Sequence, residues 1–421
     1  MSTSTLFTNA LLIDGAGQPA VRGASVLVSD QSIQRVSSGP LEVPPEIKRI
    51  DLGGRALLPG LMDAHVHVTI TVDIASLLAG GSFPPSVIHA LQIKDALEKT
   101  LAAGFTTVRD AGGATREIRE AVEQGYINGP RLLLSCSVLS QTGGHGDYTP
   151  AQGNRGYALA SWGIGAPAVV CDGVPDAIKA ARQQLKAGAD WIKVMAGGGV
   201  MSPHDPLEAV QFTQDELRAI VDVAKSASKE VMAHCHSPAA IRHAVLAGVR
   251  SIEHGTFITR DLIDLMAKHG TVLIPTLAVM NAFDPAGGGA NLPDAQKRKM
   301  AEAVARVKTC QRLAYEHREQ FQIGSGTDAF GGAMQGKNGE ELVCKTQLGF
   351  TPMEAIVSAT KVNAEIFGLA DRLGTITEGK WADMIVIDGN PLEDIQLFAQ
   401  PDKVVLVMKE GKVVKDLLTS R

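Results

Sequence analysis

The sequence has no CxxC pair, and its five cysteines (Cys136, Cys171, Cys235, Cys310 and Cys344) are scattered and odd in number. That excludes a disulfide framework and predicts reduced, buried thiols. Aromatic residues make up only 4% of the 421, and no basic run occurs; Lys+Arg 40 against Asp+Glu 45 leave a net charge of -5. Such a chain lacks the electrostatic footprint of a nucleic-acid binder. No apolar stretch reaches the ~18 residues that a membrane span needs. The start, Met1-Ser-Thr-Ser-Thr-Leu6, lacks the basic segment and apolar core of a secretion leader. A cytoplasmic protein with no membrane partner is therefore expected.

Apolar residues make up 45% of the chain, which supports a sizeable core, and its length suits one large domain plus a smaller one. Residues 5–58 read as short strands and turns, with Ser25–Val28 and Ile33–Val36 alternating apolar and polar residues. The C-terminal end reads the same way, through Met384–Ile387, a turn at Asp388–Pro391, Val404–Met408 and a turn at Glu410-Gly411. Neither end holds enough apolar residues for its own core, so the two are expected to pair into one β-sandwich, from 1–58 and 369–421. Between them, over 59–368, strand-like and helix-like segments alternate. Eight strands are predicted: Leu58–Val68, Thr106–Ala111, Arg131–Ser137, Trp191–Ala196, Glu230–His236, Ser251–Gly255, Thr271–Leu277 and Gln322–Asp328. Helical spacing of apolar residues marks Ser86–Ala103, Pro175–Ala187, Thr213–Ser228, Pro238–Ala247 and Thr259–His269. Three of these end in Ala-Gly, the usual helix stop. Eight βα units over roughly 300 residues predict a TIM (β/α)8 barrel, slightly above its ~250-residue norm.

In such a barrel the active site lies at the C-terminal strand ends. Strand one ends in His65-Val-His67, whose imidazoles share one side of the strand because side chains alternate. Strand four carries Lys193, strand five ends His234-Cys-His236, strand six Glu253-His254-Gly255, and strand eight Gly326-Thr-Asp328. Imidazole and carboxylate donors suit a pair of divalent ions, with zinc the expected one. Lys193 is the odd member, because an ammonium repels cations. Burial lowers a lysine's pKa, and a neutral amine reacts with carbon dioxide to give a carbamate whose two oxygens can bridge two metals. His234 and His236 share parity, so either can be the strand-five ligand, while Cys235 is expected to face the helices.

These motifs together resemble the metal-dependent amidohydrolase superfamily over nearly the whole chain. They are Leu58–His67, Thr106–Gly112, Ile192-Lys193, Ser251–Gly255, Gly326–Asp328 and Leu373–Val386. The likeness is greatest to the imidazolonepropionase-related branch, with its Xaa-Pro dipeptidases (prolidases), carboxypeptidase-like enzymes and ochratoxin-hydrolysing amidases. The resemblance implies that His65, His67 and Asp328 hold the more buried metal and that His234 and His254 hold the second. It also implies that N6-carboxylated Lys193 bridges them. His145, in the glycine-rich Gln141–Asp147 segment, is expected to act on the substrate carbonyl, with Asp328 handling the proton and His236 in reserve at the mouth. The implied reaction is amide hydrolysis by metal-activated hydroxide on a small, carboxylate-bearing molecule, in a homo-oligomer. The alternatives are a cyclic-amide hydrolase or ring deaminase with one metal, or a non-catalytic scaffold on the same fold.

Other residues carry weaker expectations. Asp63 is read as orienting a ligand histidine or as a structural hydrogen-bond acceptor. Arg109 and Asp110 are read as an internal ion pair. His89, His204, His243, His269 and His317 carry no motif and are read as surface or helix residues. Gly197–Pro203 is read as a hinge or rim loop. The specificity loops are expected within Val138–Val174 and Ala278–Pro293.

Overall fold

The computed structural model describes residues 4–73, 83–148, 164–165, 168–202, 205–284 and 292–418. The N-terminal side supplies five strands: β1 (Ser4–Leu12), β2 (Val21–Ser29), β3 (Ser32–Ser37), β4 (Lys48–Asp51) and β5 (Ala56–Pro59). The run from Leu58 to Val68 is not one strand. It divides at Pro59-Gly60, where a Cβ on Gly60 would come within 2.3 Å of the Thr106 hydroxyl oxygen. Only glycine lets the chain cross at that point.

Beyond Gly60 the barrel begins. Its strands are β6 (Leu61–Val66), β7 (Phe105–Asp110), β8 (Arg131–Leu134), β9 (Val138–Ser140), β11 (Trp191–Met195), β12 (Glu230–Cys235), β13 (Ser251–His254) and β14 (Val272–Ile274), with β10 (Ala168–Val170) added beside β9. All neighbours are parallel, in the orders β6-β7-β8 and β10-β9-β11-β12-β13-β14. β8 and β9 form one path, kinked at Cys136, whose φ is 58°. Backbone bonds complete the ring: the Asp190 N–H donates to the Leu134 carbonyl at 2.7 Å. The eighth strand runs through 322–329, where Gly324 donates to Leu273 at 2.9 Å, Ala64 to Ser325 at 2.8 Å and Asp328 to His65 at 2.7 Å. Strands wrapped by helices are buried on both faces, and every residue of β6, β7 and β11 is buried.

The expected helices stand at Ser86–Ala102, Val174–Ala187, Gln214–Ser226, Pro238–Ala247 and Arg260–His269. Gly188 (φ 99°) and Gly248 (φ 93°) end two of them in the left-handed conformation. Strand seven is shorter than predicted: Thr276 turns left-handed at φ 49°, and a helix over Leu277–Ala282 begins where a strand end was expected. A 23-residue helix, Asp294–Glu316, follows the loop after strand seven and was not among the predicted elements.

The chain then returns to the first sheet. β15 (Met384–Ile387) pairs antiparallel with β5, β16 (Val404–Lys409) with β15, and β17 (Lys412–Asp416) with β16. The two ends thus share one mixed sheet around an apolar cluster that includes Phe7, Val26, Leu57, Met384 and Leu406. The architecture is a TIM (β/α)8 barrel with a small β-sandwich domain built from both termini. All five cysteines are free thiols; four are buried, whereas Cys310 is only partly so. Among the described residues no helix is long and apolar enough to cross a membrane.

Arg131 joins the two parts. Its guanidinium donates to Asp383 at 3.0 Å and to Glu410 at 2.6 Å. Asp383 is 4% exposed. Removing one partner of such a pair leaves a buried charge uncompensated. Arg131→Met is expected to lower the unfolding free energy by about 3 kcal/mol. Urea titration checks it, and an unchanged midpoint would mean that the ion pair adds nothing.

Candidate active site

The site rests on a chain of buried charges across the barrel floor. Arg109, on β7, is fully buried, with its guanidinium 4.5 Å above the Trp191 ring. It donates to the Ala64 carbonyl at 2.7 Å, to the Ser251 hydroxyl at 3.3 Å and to Glu253 Oε1 at 2.9 Å. Glu253 Oε1 also accepts from the Ser251 hydroxyl at 2.6 Å, and its Oε2 lies 2.6 Å from His65 Nδ1. A carboxylate only accepts, so His65 carries its proton on Nδ1 and turns an unprotonated Nε2 to the mouth. Arg109 therefore pairs with Glu253, not with Asp110 as expected. Asp110 accepts backbone N–H groups of Val68, Gly112 and Ala114 instead. Alternation explains this: Arg109 faces the barrel interior and Asp110 the opposite way.

Above the floor the expected residues converge. Asp328 Oδ1 lies 3.6 Å from His65 Nε2 and 3.5 Å from His67 Nε2, and Lys193 Nζ lies 3.4 Å from His65 Nε2. The His254 ring centre is 5.1 Å from that of His65 and 4.6 Å from that of His234. Both strand-five histidines face this cluster, their ring centres 4.7 Å apart. Cys235 between them packs into the apolar core.

Each ring is held from behind, which leaves its other nitrogen for the cluster. His67 Nδ1 bonds the Gly112 carbonyl at 2.9 Å and His234 Nε2 the Gly198 carbonyl at 3.2 Å. His254 Nδ1 bonds the Thr276 hydroxyl at 2.7 Å, and His236 Nδ1 the Thr256 hydroxyl at 2.6 Å. His254 and Asp328 reach inward through left-handed backbone, at φ 69° and 53°. On a regular strand His254 would point opposite to Glu253, and the turn brings it round. Asp63 takes the structural role: it accepts from the backbone N–H of His65 and Thr327, the Thr327 hydroxyl and Asn338. It touches neither imidazole.

His145 lies on the opposite wall, its ring stacked on His234 with centres 4.2 Å apart and its Nδ1 2.8 Å from the Ser202 hydroxyl. Of the histidines without a motif, His89 is a helix residue, on the buried face of Ser86–Ala102, with its ring bonded to the Thr69 carbonyl at 2.8 Å. His204 lies outside the described residues, as do Gly287–Gly289 and part of the Val138–Val174 segment.

The electrostatics favour neutral donors. Burial, with the Lys193 charge adding to it, pushes the His67 imidazole down to about 4. Burial likewise takes His236 down to about 3, and His65, His234 and His254 well below the usual histidine range. Burial raises the Asp328 carboxyl to about 8 and lowers the Lys193 amine to about 8. Several neutral imidazoles and a carboxyl raised by burial form a donor set that bound positive charge would satisfy. Ligand atoms of His65, His254 and Asp328 lie within 4.8 Å of one another, so the residues fit a divalent cation. His67, His234 and Lys193 adjoin that group without belonging to it. Glu253 escaped the sequence reading, although the signal was present: it directly precedes a candidate ligand and shares the inward parity of Ser251.

The model of the Amidohydrolase family matches residues 56–414. The ochratoxinase of Aspergillus niger is 33% identical over 425 residues, spanning 98% of this chain and 86% of that protein. A crystal structure of a prolidase complexed with N-methylphosphonate-L-proline superposes with a TM-score of 0.91 at 35% identity, over 98% of this chain and 100% of that one. A Xaa-Pro dipeptidase with bound methionine in the active site gives 0.88 at 32% identity, over 98% and 100%. The chain belongs to the amidohydrolase family and is a metal-dependent hydrolase acting on carbon–nitrogen bonds of amides.

Losing the carboxylate behind a histidine ligand typically weakens metal binding 10- to 100-fold. Glu253→Gln is expected to lower metal affinity by about that factor, read by competition against a chelating dye. Affinity within twofold of the parent would show that His65 is oriented without it.

Proposed function

We propose that this chain is a binuclear amidohydrolase that cleaves the amide bond of a small substrate bearing a free carboxylate. That class includes a Xaa-Pro dipeptide, an N-acyl amino acid or an ochratoxin-like amide. The convergence of five histidines, Lys193 and Asp328 at one mouth carries this reading. We assign His65, His67 and Asp328 to one cation, His234 and His254 to a second, and Lys193 to bridge them, with zinc as the metal. Bound divalent ions acidify water and polarise a carbonyl oxygen.

The protein's own groups do the rest. The Lys193 amine, lowered to about 8 by burial, has its neutral form within reach. Attack of that nitrogen on carbon dioxide forms a carbamate N–C bond and releases one proton. Asp328, with an oxygen near both strand-one imidazoles, is placed to take a proton from the attacking water and return it to the leaving nitrogen. His145, across the site from strand one, is placed to stabilise the carbonyl oxygen as charge builds on it. His236 lines the same wall, near the substrate. The preference for a carboxylate-bearing substrate draws on the prolidase, the Xaa-Pro dipeptidase and the ochratoxinase that the chain resembles. The proposal includes self-association into a homo-oligomer, which sedimentation velocity reads.

Screening a dipeptide and N-acyl amino acid library with zinc-loaded enzyme tests the substrate class. Dialysis against a chelator should abolish turnover, and added zinc should restore it. Elemental analysis should find two ions per chain, and mass spectrometry of crystals or density at Lys193 should show the carbamate. One ion and a bare amine would instead fit the ring deaminase. Asp328→Asn should reduce kcat by about 10³-fold with an unchanged circular dichroism spectrum; turnover near the parental rate would remove Asp328 from proton transfer.

A further inference from the structure

The helix Asp294–Glu316 crosses the outside of the site and grips its backbone at two places. Near its start Lys299 Nζ donates to the Gly199 carbonyl and to the Ser202 carbonyl, each at 2.8 Å, and Gln296 reaches the Met201 carbonyl at 3.4 Å. Further along, Gln311 donates to the carbonyls of His254 at 2.8 Å and Gly255 at 3.0 Å. We infer that this helix is a brace for the mouth and that Lys299 is a positioning residue for His145. The inference rests on the reading above that His145 acts on the substrate.

The chain of contacts is continuous. The His145 ring lies face-on against Gly199, where a Cβ would come within 2.1 Å of its Cε1. Its other face stacks on His234. Its Nδ1 meets the Ser202 hydroxyl, which itself donates to the Gly199 carbonyl at 3.1 Å. Its backbone N–H donates to Gln211 Oε1 at 2.8 Å. Gln211 and the Gly199 N–H both donate to Asp205 Oδ2, at 2.9 and 3.0 Å. Asp205 is 5% exposed, and its Oδ1 accepts no hydrogen bond among the described residues. The Lys299 ammonium is 3.8 Å from that oxygen.

Gly197-Gly198-Gly199 is a segment with large conformational freedom, and glycine loses the most on being ordered. One ammonium that holds two carbonyls of the turn and balances the buried carboxylate removes much of that freedom. The surface against which His145 packs is then fixed. An apolar side chain at 299 removes both donors and leaves Asp205 without its countercharge, so the turn and the imidazole should shift together.

The test uses the full-length zinc-loaded enzyme. A crystal structure of Lys299→Met should show His145 off the Gly199 face, with the contact to Ser202 lost; an unmoved ring overturns the inference. Should that variant fail to fold, Lys299→Ser, too short to reach either carbonyl, is judged by the same criterion. A kinetic cycle on alanyl-proline gives the functional arm. Lys299→Met should lower kcat by about 100-fold, the usual cost of a group misplaced by an ångström, with KM within about twofold and Lys299→Arg recovering most of the loss. In a His145→Gln background the second substitution should cost little more, since coupled residues are not additive; an equal loss in that background overturns the inference. His145→Gln turning over at the parental rate would instead sink the catalytic reading of His145, and the crystallographic arm would still decide what Lys299 does.

Discussion

The arrangement depends first on the buried contact from Arg109 through Glu253 to His65. Two fully buried charges cost several kcal/mol each unless they are paired and hydrogen-bonded, and here every oxygen of Glu253 is used. Arg109 spends its donors on Glu253, Ser251 and the Ala64 carbonyl and packs over Trp191. Strands β6, β7, β11 and β13 therefore meet at one ionic knot. The knot closes the barrel floor, and it also sets which nitrogen of His65 faces the mouth. Barrel register and the orientation of the His65 ring are thus one constraint.

From that floor the site is raised by departures from regular strand geometry. His254, Thr276 and Asp328 are non-glycine residues in left-handed backbone, a conformation that costs energy and persists only where surroundings hold it. Thr276 receives His254 Nδ1, while Gln311 takes the His254 and Gly255 carbonyls. The Asp328 N–H is bonded to His65, and Asp63 ties the His65 and Thr327 backbones together. Every strained strand end thus has specific bonds that repay it. Side chains that alternation would send outward are turned to the mouth.

What the sequence made legible follows from periodicity. Two-residue spacing placed His65 with His67 and His234 with His236, and strand-end position gathered Lys193, His254 and Asp328 with them. The two-ended sheet was readable because Met384–Ile387 and Val404–Met408 are strands with no core of their own. Pairing choice was not readable: Arg109 has Asp110 beside it in sequence, yet Glu253, 144 residues away, is its partner. Nor was the end of strand seven, since the apolar run Val272-Leu273-Ile274 resumes at Leu277, and the strand stops at Ile274 before Pro275 and the left-handed Thr276. The helix Asp294–Glu316 escaped because its buried face is narrow and carries Gln296 and Gln311 among Met300, Ala303, Val307 and Ala314. Glutamine at core positions breaks the apolar period that marks a helix. Those two glutamines are buried because they bond site backbone, so the feature that hid the helix is the one that gives it a role.

This separates two kinds of support. The imidazoles of strands one, five and six are oriented by bonds largely within the barrel, to Glu253, Gly112, Gly198, Thr256 and Thr276. His145 is held by elements outside the strands: a glycine-rich turn, Ser202, Asp205, Gln211 and a helix from the far side of the mouth. Loops tolerate substitution better than a close-packed barrel does. The two supports are still joined, because the helix that holds the His145 turn through Lys299 also holds His254 through Gln311, twelve residues and about three helical turns further on. A shift of that helix would move His145 and the strand end that carries His254 together. Remodelling of the wall around His145 is therefore constrained by the backbone that carries His254.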